Sequence, residues 1–215
     1  MMISLRVKLV IRLESKKFMN LANKITLSRV VLSIVIMIVL LFPFEQFGLE
    51  LPTYVINGSI VIELKYIIAG VLFIIASLTD FVDGRVARKY NMVTDFGKMV
   101  DAISDKMLTN SLLVILAAQG MISTVIALVF IVRDIIVDAI KMIVGNKGHA
   151  VAAIGVAKWK TATLMFGLVF TLFYNLPFEL VGIRVSDVLL IISACLSVIS
   201  GFKYYVMARP YIDAK

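Results

Sequence analysis

The sequence has little of the side-chain chemistry on which many soluble enzymes depend. Its 215 residues include one cysteine, Cys195, and one histidine, His149. A single cysteine cannot form an intrachain disulfide, and a single histidine argues against a histidine-based zinc site. Charge is also scarce, because only 17% of residues are charged, whereas soluble domains average about a quarter. Chemistry must therefore come from carboxylates, hydroxyls and basic side chains.

Apolar residues are abundant instead. They make up 61% of the chain, the mean hydropathy is +1.01, and 22 basic residues against 14 acidic ones leave a net charge of +8. This composition nearly excludes a soluble globular protein. A basic excess on so apolar a chain predicts a membrane protein that meets anionic lipid or phosphate, with no nucleic-acid partner.

Six stretches are apolar and long enough to cross a bilayer, which takes about 20 residues each. They lie at about 27–44, 60–80, 99–119, 121–141, 161–177 and 185–206. The sequence therefore predicts an all-α polytopic membrane protein with six transmembrane helices in a domain over 23–215. The first apolar run starts too late for a secretory signal and has no small-residue cleavage site.

The connectors between these stretches differ in charge. The segment before the first span, the second connector and the fourth connector are rich in Lys and Arg, whereas the others are neutral, acidic or short. Basic segments stay on the cytoplasmic side of a membrane. We therefore expect an integral protein of the cytoplasmic membrane, with both termini and the second and fourth connectors in the cytoplasm.

Residues 1–22 form a basic juxtamembrane segment ahead of the first span. Within it, Ser4–Phe18 mixes apolar residues with five bases. This pattern is typical of an interfacial amphipathic helix on the anionic inner leaflet. A solvated basic leader, or translation beginning at Met19, explains the segment equally well.

Four aspartates stand near the cytoplasmic ends of the second and third predicted spans. Asp80 and Asp83 are three residues apart, and Asp101 and Asp105 are four apart, so each pair shares one face of a helix. Carboxylates this close repel one another unless protons or cations neutralise them. Oxygen ligands suit Mg²⁺, Mn²⁺ or Ca²⁺, and four acids could share two ions. Pairing with neighbouring Lys and Arg is the alternative.

These residues carry a resemblance to a known family. The sequence reads Asp80-x2-Asp83-Gly84-x2-Ala87-Arg88-x8-Gly97-x3-Asp101-x3-Asp105. This pattern resembles the signature of the CDP-alcohol phosphatidyltransferases. The resemblance implies transfer of a phosphatidyl group from CDP-diacylglycerol to an alcohol, with release of CMP. It also implies two Mg²⁺ or Mn²⁺ ions per site and a homodimer.

The resemblance assigns a role to each motif position. Asp80, Asp83 and Asp101 would be metal ligands, and Asp105 would be the catalytic base and, in some members, a further metal ligand. The nucleotide and CDP-diacylglycerol site would be formed by Asn23, Thr26, Gly84, Ala87, Arg88 and Gly97. A base is needed because an alcohol is a poor nucleophile until its proton is removed.

Residues outside the motif indicate the acceptor alcohol. Met19-Asn20 with the following residues to Arg29, and Gly155-x2-Lys158-Trp159-Lys160-Thr161, resemble bacterial phosphatidylglycerophosphate synthases, a branch of this family. Arg133 interrupts an apolar stretch, so it should face the protein interior or an aqueous site. The synthases often have Arg-Glu where this chain has Arg133-Asp134, and part of this set could form an internal ion-pair network.

An acceptor that carries phosphate explains these basic residues best. The predicted acceptor is glycerol 3-phosphate, and its phosphate would be bound by Arg29, Arg133, Lys158, Lys160 and Thr161. Structural roles as cytoplasmic-face anchors are the alternative for the lysines. Inositol phosphate is the closest alternative acceptor. A cation transporter and a non-catalytic membrane scaffold are alternatives from other functional classes.

Overall fold

A computed structural model describes residues 21–58, 60–89, 95–149 and 155–212 of the chain. Within these ranges, the side chains of 21–25, 81–89, 95, 96, 98 and 212 are not described. The predicted amphipathic segment before residue 21 therefore lies outside the described part of the chain.

The described residues are mostly helical, which confirms the predicted all-α class. The helices are α1 (Leu21–Leu41), α2 (Leu64–Lys89), α3 (Asp95–Ala118), α4 (Thr124–Asn146), α5 (Gly155–Leu172) and α6 (Val185–Ile212). Short 3₁₀ turns cover Phe44–Phe47 and Phe178–Val181. Each predicted apolar stretch coincides with most of one helix.

Two predicted boundaries were wrong. The stretch at 60–80 begins with a strand, because β1 (Thr53–Ile56) and β2 (Ile60–Glu63) pair as an antiparallel hairpin before α2. Asn57 and Gly58 turn the chain with φ of 53° and 72°, and Asn-Gly is a preferred hairpin turn between β-branched segments. The stretch at 161–177 ran past the end of α5, since Tyr174 and Asn175 have φ of 52° and 57°, which a helix does not allow.

Among the described helices, α6 alone is long and apolar enough to cross a membrane, and its candidate span is Val185–Tyr211. It exposes large apolar side chains, including Val188, Ile191, Val198 and Phe202, as a lipid-facing helix would. The apolar part of α1, Thr26–Leu41, is shorter. Helix α4 carries four charged residues between Arg133 and Lys141. Six transmembrane helices stay a prediction.

The chain divides into two compact units. Among the described residues, the first comprises 21–42, 71–89 and 95–111. In it, α1 buries the face formed by Thr26, Arg29, Ser33, Ile36 and Leu40. This spacing of three and four residues marks one side of a helix. A charged residue thus lies in line with the apolar core positions of α1.

Among the described residues, the second unit comprises 43–58, 60–70, 112–149 and 155–212. Helix α6 packs against both α4 and α5. A Cβ atom on Gly167 would lie 2.9 Å from Leu190 Cδ2, so glycine is what lets α5 approach α6 this closely. The buried face of α6 contains Ser186, Leu190, Ser193, Ser197, Ser200, Tyr204 and Ala208. Serines thus occupy much of a helix face where apolar residues are the usual choice.

Candidate active site

The first unit brings three of the four predicted aspartates around one arginine. Nη1 of Arg29 lies 2.5 Å from Asp80 Oδ1 and 2.7 Å from Asp101 Oδ1. Its Nη2 lies 3.9 Å from Asp105 Oδ1. The arginine comes from α1, Asp80 from α2, and the other two carboxylates from α3. The predicted convergence of Asp80, Asp101 and Asp105 is therefore present in the structure.

Burial within this aspartate cluster is uneven. The Arg29 side chain is fully buried, whereas the carboxylates of Asp80, Asp101 and Asp105 are 39%, 54% and 45% exposed. The positive charge thus lies beneath the carboxylates, and the carboxylates form the accessible surface. A ligand that approaches this surface would meet oxygen atoms first.

Local hydrogen bonds hold the backbone on which these side chains stand. Ser33 Oγ donates to the Arg29 carbonyl oxygen at 2.8 Å, and Thr109 Oγ1 donates to the Asp105 carbonyl oxygen at 2.9 Å. Ser104 Oγ is buried and donates to the Asp101 carbonyl oxygen at 3.0 Å. Each hydroxyl donates a hydrogen bond to a carbonyl oxygen of its own helix. Helices α1 and α3 can therefore bury these hydroxyls without losing hydrogen bonds.

The donor set of the aspartate cluster suits a divalent ion. Asp80 and Asp101 direct oxygens from two helices toward one positively charged point, and carboxylate oxygens are the ligands that Mg²⁺ and Mn²⁺ prefer. Among the side chains that the structure describes, no three acidic, histidine or cysteine groups are close enough to hold one ion together. The side chain of Asp83, which the motif adds to this set, is outside the described residues.

The structure describes the surroundings of only some of the predicted nucleotide-binding residues. Thr26 is buried, one helical turn before Arg29 on the same face of α1. Gly97 lies in the first turn of α3. Asn23 is in α1, and Gly84, Ala87 and Arg88 are in α2, but their side chains and surroundings lie outside the described residues.

The second unit holds Arg133, which the sequence assigned to the acceptor. Its Nη1 donates to Asp134 Oδ1 at 2.9 Å, its Nη2 to Ser200 Oγ at 2.7 Å and its Nε to the Ser197 carbonyl oxygen at 3.2 Å. The side chain is 13% exposed and its guanidinium lies 5.7 Å from the Tyr204 ring centroid. Contacts from α4 and α6 therefore set the direction of this guanidinium.

Lys160 belongs to the same group of charges. Its Nζ donates to Asp134 Oδ1 at 3.2 Å and lies 5.0 Å from the Phe130 ring centroid. The residue is buried, and Ser193 Oγ donates to its carbonyl oxygen at 2.6 Å. Asp134 thus joins two of the predicted acceptor-binding bases. We call Arg133, Asp134 and Lys160 the basic triad.

Lys158 and Thr161, the other predicted acceptor residues of the second unit, are placed differently. Lys158 is exposed in the first turn of α5. Thr161 Oγ1 donates to the Ala157 carbonyl oxygen at 3.1 Å. The structure therefore places Lys160 in the basic triad, whereas Lys158 is exposed and the Thr161 hydroxyl donates within its own helix.

Sequence reasoning missed the contribution of α6 to this site. Ser193, Ser197 and Ser200 are spaced four and three residues apart, so they share one helix face. All three are fully buried in a largely apolar stretch of this helix. The hydroxyls of Ser193 and Ser200 bind Lys160 and Arg133 on neighbouring helices, whereas Ser197 binds Arg133 through its carbonyl oxygen. Polar residues at this spacing on an apolar helix face are the signal that could have revealed the site.

Gly201 supplies the space in which Arg133 lies. A Cβ atom at this position would be 3.3 Å from Arg133 Cγ and 3.8 Å from its Nε. A side chain on Gly201 would therefore press on the arginine that Ser197 and Ser200 hold. Like the serines, Gly201 was not singled out from the sequence.

Comparisons with known proteins identify the family of the chain. The sequence model of CDP-alcohol phosphatidyltransferases matches residues 19–199, which include the aspartate cluster and the basic triad. A CDP-diacylglycerol–glycerol-3-phosphate 3-phosphatidyltransferase of Bacillus subtilis (strain 168) is 38% identical over 186 residues, covering 86% of this chain and 93% of that protein.

More distant relatives have the same name. The protein of Rickettsia typhi (strain ATCC VR-144 / Wilmington) is 31% identical over 193 residues, covering 89% of this chain and 98% of its own length. That of Haemophilus influenzae (strain ATCC 51907 / DSM 11121 / KW20 / Rd) is 32% identical over 164 residues, covering 74% and 86%. With the matched motif and the convergent aspartates, these likenesses show that the chain belongs to the CDP-alcohol phosphatidyltransferase family.

Proposed function

We propose that this chain is an integral membrane transferase that moves the phosphatidyl group of CDP-diacylglycerol to glycerol 3-phosphate. The products are phosphatidylglycerophosphate and CMP. The observation that carries the proposal is the convergence of Asp80, Asp101 and Asp105 around Arg29. These are motif positions of the family, and the names of the relatives specify both substrates.

Asp105 is the proposed catalytic base. Its carboxylate would accept the hydroxyl proton of the acceptor as that oxygen attacks the phosphorus that carries the diacylglycerol. The new phosphorus–oxygen bond forms while the bond to the CMP oxygen breaks, and CMP leaves with that electron pair. The carboxylate is 45% exposed, so a substrate hydroxyl can reach it from outside the protein.

Divalent metal use is general in this family, and we propose two Mg²⁺ or Mn²⁺ ions held by Asp80, Asp83, Asp101 and Asp105. Bound ions would polarise the diphosphate and stabilise the departing CMP. The exposed carboxylates of Asp80 and Asp101 support this assignment, because they offer hard oxygen ligands at the surface of the aspartate cluster. Asn23, Thr26, Gly84, Ala87, Arg88 and Gly97 are the proposed nucleotide and CDP-diacylglycerol site.

The acceptor phosphate is assigned to Arg133 and Lys160, with Lys158 and Thr161 as further contacts. The guanidinium of Arg133, which is 13% exposed, and the buried ammonium of Lys160 meet at the Asp134 carboxylate, and cationic donors of this kind form strong hydrogen bonds with phosphate. Arg29 was also expected to bind this phosphate, but its contacts with three carboxylates support a different role, which is argued below.

The remaining assignments concern the surroundings of the enzyme. The family is membrane-embedded, and α6 has the length and composition of a membrane span. We propose six transmembrane helices, with both termini and the active site at the cytoplasmic face, because the basic connectors favour that orientation. A homodimer is proposed from the family resemblance, and light scattering of the purified protein would test it.

An assay of CMP release tests the proposed function. The purified chain would be mixed with CDP-diacylglycerol, Mg²⁺ or Mn²⁺, and a panel of alcohols that includes glycerol 3-phosphate, inositol phosphate, inositol and serine. We expect CMP with glycerol 3-phosphate and none when the metal is chelated. CMP with inositol phosphate alone would contradict the acceptor assignment. Release of no CMP with any alcohol would contradict the proposed transferase activity.

Replacement of Arg133 tests whether this residue binds the acceptor rather than CDP-diacylglycerol. Arg133→Ala is expected to raise the KM for glycerol 3-phosphate about 10- to 100-fold, since a hydrogen bond to a charged group contributes about 1.5–3 kcal/mol. The KM for CDP-diacylglycerol should stay within about twofold of wild type. Arg184→Ala is the matched control, because Arg184 is 80% exposed on the connector before α6. Equal increases in both KM values would refute the acceptor role.

A further inference from the structure

We propose that Arg29 is a positioning residue for the aspartate cluster, acting as an internal cation that holds the carboxylates from below while their exposed side stays available to divalent ions. This inference rests on the proposed function for its link to catalysis. It replaces the acceptor-phosphate role that the sequence suggested for Arg29. Its central claim, that Arg29 and a divalent ion neutralise the same carboxylates, can be measured without turnover.

The first support is the way in which Arg29 joins three helices. A single nitrogen, Nη1, contacts Asp80 on α2 and Asp101 on α3, while the arginine itself belongs to α1. Both contacts are made through Oδ1. Arg29 therefore holds one oxygen of each carboxylate in place. This contact restricts the rotation of the carboxylate group and so the position of its second oxygen. Aspartates on separate helices acquire a common geometry from one buried group.

The second support is burial. Arg29 is 0% exposed, and it continues the buried face of α1 that includes Ser33 and Ile36. A buried guanidinium is stable only when anionic partners neutralise it. Among the described residues, its charge partners are Asp80, Asp101 and Asp105, whose side chains are at least 39% exposed. The arrangement places a permanent positive charge under the surface that is proposed to bind metal.

The third support is the hydrogen-bonding capacity that Arg29 retains. Its Nε and Nη2 are buried and have no hydrogen-bond acceptor among the described residues. Nη2 faces Asp105 at 3.9 Å, which is an ion-pair distance but too long for a hydrogen bond. A small shift of either side chain would join them. The planar fork of arginine can thus contact Asp80 and Asp101 with one nitrogen and face the proposed base with the other.

Electrostatics predicts how such a residue behaves in an experiment. Asp80 and Asp101 repel each other unless a cation lies between them. Arg29 and a divalent ion both reduce this repulsion, so each should partly replace the other in stabilising the fold. Removal of Arg29 should therefore make the protein depend more strongly on added metal. An arginine that bound only acceptor phosphate would show no such dependence.

The test measures thermal unfolding of the full chain in detergent, with EDTA or with saturating Mg²⁺ or Mn²⁺. Arg29→Gln is expected to lower the Tm in EDTA by about 5 °C or more, and added metal should raise its Tm more than it raises that of wild type. Arg184→Gln, which removes an exposed guanidinium, should leave both Tm values unchanged. Equal Tm losses with and without metal would overturn the proposal, because they would show a purely structural ion pair.

Kinetics of the same variants separate positioning from acceptor binding. Arg29→Gln should lower kcat at least tenfold and leave the KM for glycerol 3-phosphate within about twofold. A wild-type Tm together with a KM raised tenfold or more would restore the acceptor role and overturn the proposal. If the wild-type chain releases no CMP, the proposed function fails, but the Tm comparison still decides whether Arg29 and the metal share the carboxylates.

Arg29→Lys keeps the proposal testable if the glutamine variant does not fold. One ammonium can bridge Asp80 and Asp101 but lacks the second nitrogen that faces Asp105. We expect a Tm in EDTA close to wild type and a kcat reduced about tenfold. A wild-type kcat in Arg29→Lys would refute the role assigned to Nη2, and a Tm as low as that of Arg29→Gln would refute neutralisation by charge.

Discussion

Asp105→Asn is expected to lower kcat by about 10²- to 10⁴-fold, the range of a lost general base. Asparagine has nearly the same shape as aspartate, but its amide cannot take the proton of the attacking hydroxyl. The side chain is 45% exposed, and its backbone carbonyl is held by Thr109. The local helix should therefore survive the substitution, and the loss should appear in turnover rather than in folding.

Three measurements make this result specific. CMP release gives kcat, binding of a CDP-diacylglycerol analogue shows whether the nucleotide site persists, and Mn²⁺ titration followed by EPR shows whether metal still binds. Asp187→Asn is the matched control, since Asp187 lies in the first turn of α6 and is 42% exposed. Retained turnover in Asp105→Asn would remove Asp105 as the base. Loss of both turnover and Mn²⁺ binding would assign the lost activity to its role as a metal ligand.

Asp134→Ala is expected to destabilise the protein by about 3 kcal/mol, because it leaves two cations without their shared anion. Asp134 Oδ1 binds both Arg133 and Lys160, and the three side chains are between 9% and 14% exposed. Water therefore offers little compensation for the lost carboxylate. The same change should raise the KM for glycerol 3-phosphate, since Arg133 and Lys160 lose the group that sets their separation.

Asp134→Glu is the matched variant, because it preserves the charge and gives the Arg-Glu sequence that related synthases often have. Thermal unfolding in detergent should show a Tm roughly 10 °C lower for Asp134→Ala and a small change for Asp134→Glu. A Tm for Asp134→Ala within 2 °C of wild type at saturating metal would mean that the basic triad does not hold α4 and α5 together, whatever its part in acceptor binding.

Prediction from sequence succeeded where a local pattern is enough. The spacing of Asp80, Asp101 and Asp105 depends only on helical periodicity, and their convergence follows from two adjacent helices with a short connector. The family resemblance rests on these residues, and the comparisons confirm it. Long apolar runs likewise predicted where helices lie. The predicted boundaries failed at 60–63, which form a strand of the hairpin that turns at Asn57-Gly58, and at 173–177, where left-handed residues end the helix.

Prediction failed where the partner of a residue is distant in the chain. Arg29 stands 72 positions from Asp101, and its basic character suited phosphate as well as carboxylate. The serines of α6 gave a visible periodic pattern, but a buried hydroxyl does not specify which helix it meets. Ser200 and Arg133 are 67 positions apart, and no local rule links them.

The amino-acid sequence by itself determined the apolar helices, the aspartate motif and the family, because periodicity and spacing are properties of neighbouring residues. Only the tertiary structure decided which acidic residue pairs with which basic residue. In the first unit it placed Arg29 beneath Asp80 and Asp101, and in the second it joined Arg133 and Lys160 through Asp134. The physical reason is that a buried charge needs a partner within a few ångströms, and packing between helices selects that partner.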